Sequence, residues 1–237
     1  MESSHLNLTQ QLVHDLGKKI IQGTYNVGDS LPSEADLCTE FNVSRTSTRE
    51  AVKMLTAKGL INSRPRQGIK VVDSKHWNLF DADVLNWILF GKPDLYLLRN
   101  FLQLRLAIEP EAAYLAAQYA QESDLKAIES ALMRMKDATN GKDDTHEADI
   151  EFHQSVLTAS NNPFFIQLIN FITTALKVNI RFTNRMIAVT LDEYQAHVDI
   201  FEHIKNKDPK AASAASLITQ KETLAIVNAQ IEAFEKK

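Results

Sequence analysis

The sequence predicts a mainly α chain in two parts: three short helices with a small two-stranded wing, then a larger domain built of helices alone. Three observations carry that expectation. Apolar residues recur at helical spacing along most of the 237 positions. A single pair of short β-branched segments, LINSR and IKVV, flanks the turn PRQG. Charge is also divided: residues 41–72 hold seven Lys or Arg against one acid, whereas residues 1–40 hold two bases against six acids. Residues 1–72 therefore carry +2 and the remainder −6, for a net −4. A basic stripe inside an acidic chain needs an anionic partner, and double-stranded DNA is the first candidate.

The first part divides cleanly. From Leu8 to Gly23, Leu8, Leu12, Val13, Leu16, Ile20 and Ile21 form one amphipathic stripe, and Gly23 supplies a stop. After the turn-rich YNVGDSLPS, Ser33 caps a short second helix, with Asp36 in capping-box position, ending near Phe41 and Asn42. Ser44 caps a third helix from Arg45 to Lys58, ended by Gly59. On it Ala51, Val52 and Leu55 make an apolar stripe while Arg45, Arg49 and Lys53 recur every four residues along another side. Arg45 and Arg49 are long enough to reach base edges in a major groove, and Ser44, Thr46, Ser47 and Thr48 suit phosphate or base contacts. Arg64, Arg66 and Gln67 ride on the wing.

The run PSEADLCTEFNVSRTSTREAVKMLTAKGLI, followed by this basic wing, resembles the winged helix-turn-helix domain of the GntR superfamily of bacterial transcription regulators. The resemblance implies that Arg45 and Arg49 contact operator DNA, that Gly68 lets the wing tip approach the minor groove, and that a homodimer binds a palindromic operator. Ala35 stands where many members carry arginine, so one expected contact is missing. The expected organisation is a DNA-binding domain at 1–73, a linker at 74–83 and an all-α domain at 84–237. Helices are expected at 84–90, 95–121, 123–140, 144–160, 164–185, 191–206 and 209–234.

In that second domain the informative residues are polar groups sharing a helical face. Asp149 and His153 lie four apart, as do Arg105 and Glu109, and His197 comes early on the next-to-last helix. A surface ion pair explains Asp149 with His153 equally well at this point. The runs LQLRLAIEPEAAYLAAQ, DIEFHQSVLTASNNP and HVDIFEHIKNKDPKAA resemble the FCD effector-binding domain of the FadR branch. That resemblance makes Arg105 the anchor for the carboxylate of a small acid, joined by Asp149, His153 and His197. Arg181, Thr183, Asn184 and Arg185 offer further polar contacts to the effector. It also makes Asp149, His153 and His197 three of four ligands for a divalent ion, Zn²⁺ or Ni²⁺, with the fourth histidine position occupied by Thr219. A threonine hydroxyl is a poor ligand for either ion, so the site holds metal with reduced affinity or serves as a polar pocket without one. The segment WNLFDADVLNWILF resembles the same region in regulators of hexonate and hexuronate catabolism, which points to a sugar acid.

The expectation is a bacterial transcription regulator, a repressor, released or retained on DNA by a small organic acid. No nucleophile motif or phosphate loop accompanies the acid and histidine cluster, so enzymatic activity is not expected. A metal-dependent hydrolase using Asp149, His153 and His197, and a DNA-binding protein without a ligand, are the alternatives. One cysteine, Cys38, cannot form an internal disulfide. With no apolar run near the roughly 20 residues of a membrane span and no leader pattern in MESSHLNLTQQ, a cytoplasmic location and no membrane partner are expected.

Overall fold

A computed structural model describes residues 7–89, 94–183 and 191–236, with the side chains of 178–183 and 191–193 outside that description. The chain forms two compact units, Met1–Lys92 and Pro93–Lys237. In the first, α1 (Leu8–Ile21), α2 (Glu34–Glu40) and α3 (Arg45–Ala57) precede β1 (Ile61–Arg64) and β2 (Gly68–Val71). A single 3-10 turn, Ser74–His76, and α4 (Ala82–Leu89) complete it. No helix among the described residues is long and apolar enough to cross a membrane.

Local chemistry sets these boundaries. Asn7 and Gln10 form a reciprocal capping box at α1, and Ser33 with Asp36 forms the expected one at α2, each satisfying backbone N–H groups that a helix start leaves open. Gly23 follows α1 with φ +77°, a left-handed conformation that glycine adopts without steric cost. The wing is antiparallel, with Ile61 opposite Val71 and Arg64 opposite Gly68. Its turn places Arg66 at φ 63° and Gly68 at φ 76°. The loop at Gly28–Leu31, read from its turn residues as irregular, adds a third edge: Ser30 bridges Lys70, and Gly28 and Leu31 donate to the Val71 and Ile69 carbonyls. One bridge is too short a pairing for a period-two pattern to announce.

The first core is Leu12, Val13, Leu16, Ile20, Leu37, Ala51, Val52, Leu55, Leu60 and the inward face of the wing, together with Val84 and Trp87 of α4. The domain boundary expected at residue 84 therefore moves. Trp87 packs so close to Gly17 that a Cβ there would lie 2.2 Å from its ring, and its indole N–H donates to His14 Nδ1 at 3.0 Å. The apolar pattern of Val84–Trp87 marks a buried helix but does not say which core buries it.

The second unit is helical throughout its described residues: α5 (Leu95–Tyr119), α6 (Glu122–Thr139), α7 (Thr145–Ala159), α8 (Pro163–Gln167), α9 (Ile169–Thr183), α10 (Leu191–Lys205) and α11 (Pro209–Glu235). The helix expected at 164–185 is divided because the Leu168 amide bonds three residues back, to Phe165, closing α8 in a tight turn. Asp144 caps α7, and Asp208 with Pro209 opens α11. The long helices α5 and α11 pack against each other, α6 against α7, and α10 against α11. Alanines at 113, 116, 117, 131, 148 and 212 line this core, letting backbones approach closely enough for polar side chains to meet between them.

Candidate functional site

The first candidate surface is the N-terminal half of α3 with the wing. Ser44 has extended backbone and its hydroxyl accepts from the Ser47 amide at 3.1 Å, so this residue is committed to starting the helix. Arg45, Thr46 and Arg49 are exposed, as are Arg64, Arg66, Gln67 and Gly68 on the wing, and Ser47 is half-buried. Arg49 is held by Glu34, Nε to Oε2 at 3.1 Å, which orients it while leaving its side chain 68% exposed.

One expected contact and one base of the stripe turn inward. Thr48 is fully buried: its hydroxyl donates to the Ser44 carbonyl at 3.2 Å and lies 3.2 Å from Cys38 Sγ. It fastens α3 to α2 and is not a DNA contact. Its place near the start of the helix, beside Arg45 and Arg49, could not reveal that it falls on the α2 side. Lys58, counted in the basic stripe, is likewise buried and paired with Asp81 and Asp83 at 2.8 and 2.7 Å. The bases left exposed on this surface are Arg45, Arg49, Lys53, Arg64, Arg66 and Lys70.

The second candidate site is a buried polar cluster supplied by α5, α7, α10 and α11. Spacing by four on α5 stacks Arg105 over Glu109, and their pairing is side-on: Nε to Oε1 at 2.5 Å and Nη2 to Oε2 at 3.1 Å. Arg105 Nη2 also lies 2.9 Å from His153 Nε2. Glu109 Oε2 further receives the Gln220 amide at 2.6 Å and faces His153 Nδ1 at 3.0 Å. Glu109 thus gives Arg105 a resident anion. Arg105 Nη1 has no hydrogen-bond partner among the described residues.

Electrostatics follow from the same contacts. Burial alone would raise the Glu109 carboxyl, but Arg105 and His153 outweigh it and hold it at about 2. Burial disfavours charge on His153, yet Glu109, together with Asp149 and against the opposing Arg105, pushes it up to about 9. Protonated His153 places N–H on both Glu109 and Asp149; neutral His153 keeps Nδ1–H on Glu109 and offers its Nε2 lone pair to Arg105. The Asp149 carboxyl is held well below the usual carboxylate range, against its own burial, by His153 and His197.

Asp149 Oδ1 lies 3.5 Å from His153 Nε2 and 3.3 Å from His197 Nε2. One ligand atom from each residue lies within 4.8 Å of the others, which fits a two-histidine, one-carboxylate set with open positions. Phe152 walls the cluster, its ring edge-on to His153 and His197 at 5.7 and 4.8 Å. Thr219 is buried, its hydroxyl donating to the Ala215 carbonyl at 3.3 Å. The side chains of the expected contact Arg181 and of Thr183, and all of Asn184 and Arg185, lie outside the description.

A cavity beside the cluster is lined by Glu109, Phe152, His153, Ile200 and Ser216 among others and has room for about one water. Sequence reasoning missed Gln220 and Ser216, both buried. Their fourfold spacing along an alanine-rich helix was the available signal. Gln220 presents its NH₂ to Glu109, which leaves Oε1 buried and unpaired among the described residues.

Two family models match this chain: "Bacterial regulatory proteins, gntR family" over residues 8–71 and "FCD domain" over residues 100–218. The galactonate operon transcriptional repressor of Escherichia coli (strain K12) is 37% identical over 216 residues, covering 90% of this chain and 93% of its own. The Exu regulon transcriptional regulator of the same organism is 31% identical over 216 residues, covering 88% and 80%. Among solved structures, Streptococcus agalactiae GntR is 25% identical with a TM-score of 0.52, covering 92% of this chain and 99% of that one. With an exposed basic helix and wing in one unit, a buried polar cluster in the other and both matched in order, the chain belongs to the gntR family of transcription regulators with an FCD domain, and is not an enzyme.

Proposed function

We propose that this regulator represses genes of sugar-acid use, binding a palindromic operator as a homodimer through Arg45, Arg49 and the wing, and that a small hydroxy acid in the second unit controls it. The observation that carries the reading is Arg105. It is 3% exposed, tethered side-on by Glu109, and keeps Nη1 for a further acceptor. A buried guanidinium offering unused donors favours a carboxylate. Asp149, His153 and His197 would hold a divalent ion, whose chemistry there is to accept an oxygen of the same acid as ligand. The space lined by the described residues has room for about one water, and a wider state of it would admit the acid. An acid that prefers the widened state shifts the equilibrium by its differential affinity alone.

The test is a thermal-shift and mobility-shift series with D-galactonate, hexuronates, lactate and dicarboxylates, with and without Ni²⁺ or Zn²⁺. One acid should raise the melting temperature and change affinity for a DNA site selected from a random pool. If none changes either quantity, the chain is a DNA-binding protein without an acid effector. The names of the galactonate and Exu relatives support the choice of sugar acids.

A further inference from the structure

Where α3 ends, three consecutive residues are gripped by the segment that follows the wing. The Lys58 carbonyl accepts from the Asn78 amide at 3.0 Å, and the Leu60 carbonyl from Val72 at 3.0 Å. Between them Gly59, at φ +75°, lies so close to that segment that a Cβ would sit 2.1 Å from the His76 carbonyl oxygen. The Lys58 side chain then reaches α4: Nζ donates to both Asp81 oxygens at 2.8 Å and to Asp83 Oδ2 at 2.7 Å, and stands 5.7 Å over the Trp87 ring. Asp81 also caps α4 by accepting from the Asp83 and Val84 amides. An ammonium so enclosed has no role on DNA. It sits at the negative end of the α3 dipole and at the start of α4.

Resting on the DNA-binding reading above, we infer that Lys58 is a positioning residue: held by Asp81 and Asp83, it latches α4 to the end of α3 and fixes how that helix is presented to the major groove. The stretch expected to be a linker is in this account part of the reading head. It contacts no base or phosphate, and a displacement of α4 is delivered directly to α3.

The test uses the full chain and the DNA site that the wild type selects from a random pool. Lys58→Met should weaken binding at least tenfold with an unchanged dependence on salt, because no phosphate contact is lost, and Lys58→Arg should restore most of the affinity. In a Trp77→Phe background, where Trp87 is the remaining tryptophan, loss of the latch should shift emission to the red. The triple change Lys58→Met, Asp81→Asn, Asp83→Asn retains a side-chain oxygen to cap α4 and leaves no buried orphan charge, so it serves if the single variant misfolds. A salt slope reduced by about 0.9, the signature of one lost phosphate contact, would overturn the inference, as would an unchanged affinity in a chain whose Trp87 emission has shifted. A wild type that selects no DNA site sinks the functional reading instead, and unshifted Trp87 emission in the triple variant still refutes the latch.

Discussion

At the scale of single residues, the second unit is organised by Glu109 more than by Arg105. One carboxylate takes donors from Arg105, His153 and Gln220, so removing its main cation leaves a buried charge. Arg105→Ala should therefore cost about 3–5 kcal/mol in chemical denaturation, the range for one orphaned partner of a buried pair. Arg105→Ala with Glu109→Gln should recover much of that loss. The paired variant should still bind DNA yet no longer respond to the acid, and release at the wild-type acid concentration would remove Arg105 from the effector site. Acid dependence has a defined sign. Unfolded Glu109 protonates near 4.5 and native Glu109 near 2, so its stabilisation is present above pH 4.5 and is lost as pH falls toward 2. Midpoints in urea measured across that window should fall less steeply for Glu109→Gln than for the wild type. Arg105 and Glu109 were visible in the sequence as neighbours on one face. Which of them would engage the other, and that Gln220 from α11 would join, depends on packing between helices more than 100 positions apart.

Among elements, α3 was the most legible, since its cap, stripe and stop are all local signals and all are observed. What periodicity could not resolve was the side of the helix next to α2, where Thr48 is fastened. Arg49→Ala should abolish selective operator binding in a mobility-shift assay while the second unit keeps its fold. Thr48→Ala should instead lower melting temperature, leaving a small cavity and removing the hydroxyl that meets Cys38 Sγ, with little change in salt slope. Gly59→Ala meets both a backbone carbonyl and an unfavourable φ. Its expected cost, at least about 1 kcal/mol from the conformation alone, should appear as a lowered transition for the first unit. The assignment of α4 failed for a different reason. An apolar helix advertises that it will be buried, and only the fit of Trp87 over Gly17 decided where.

For the molecule as a whole, the charge division seen in the sequence maps onto two units of different task. The exposed bases of α3 and the wing sit in the first unit, and the buried pairs of the second neutralise themselves. DNA affinity should consequently fall steeply with salt, by about 0.9 in log K per log salt for each neutralised phosphate. Lys53→Gln should reduce that slope by about one such step, whereas Lys177→Gln in the second unit should not. Sedimentation of the DNA complex should give two chains per palindromic site, and a single chain on an asymmetric site would overturn the dimer. The family was legible from short motifs, while the small size of the cavity was not, because volume between helices is not written in any local pattern.

The meeting of Cys38 with Thr48 has a practical consequence. Since the chain has one thiol and that thiol is half-buried in the joint between α2 and α3, its reaction rate with an aromatic disulfide times the opening of that joint. No other side chain competes for the reagent. Protection by DNA would report closure of the reading head in real time, and an acid acting from the second unit would register as a change in that clock.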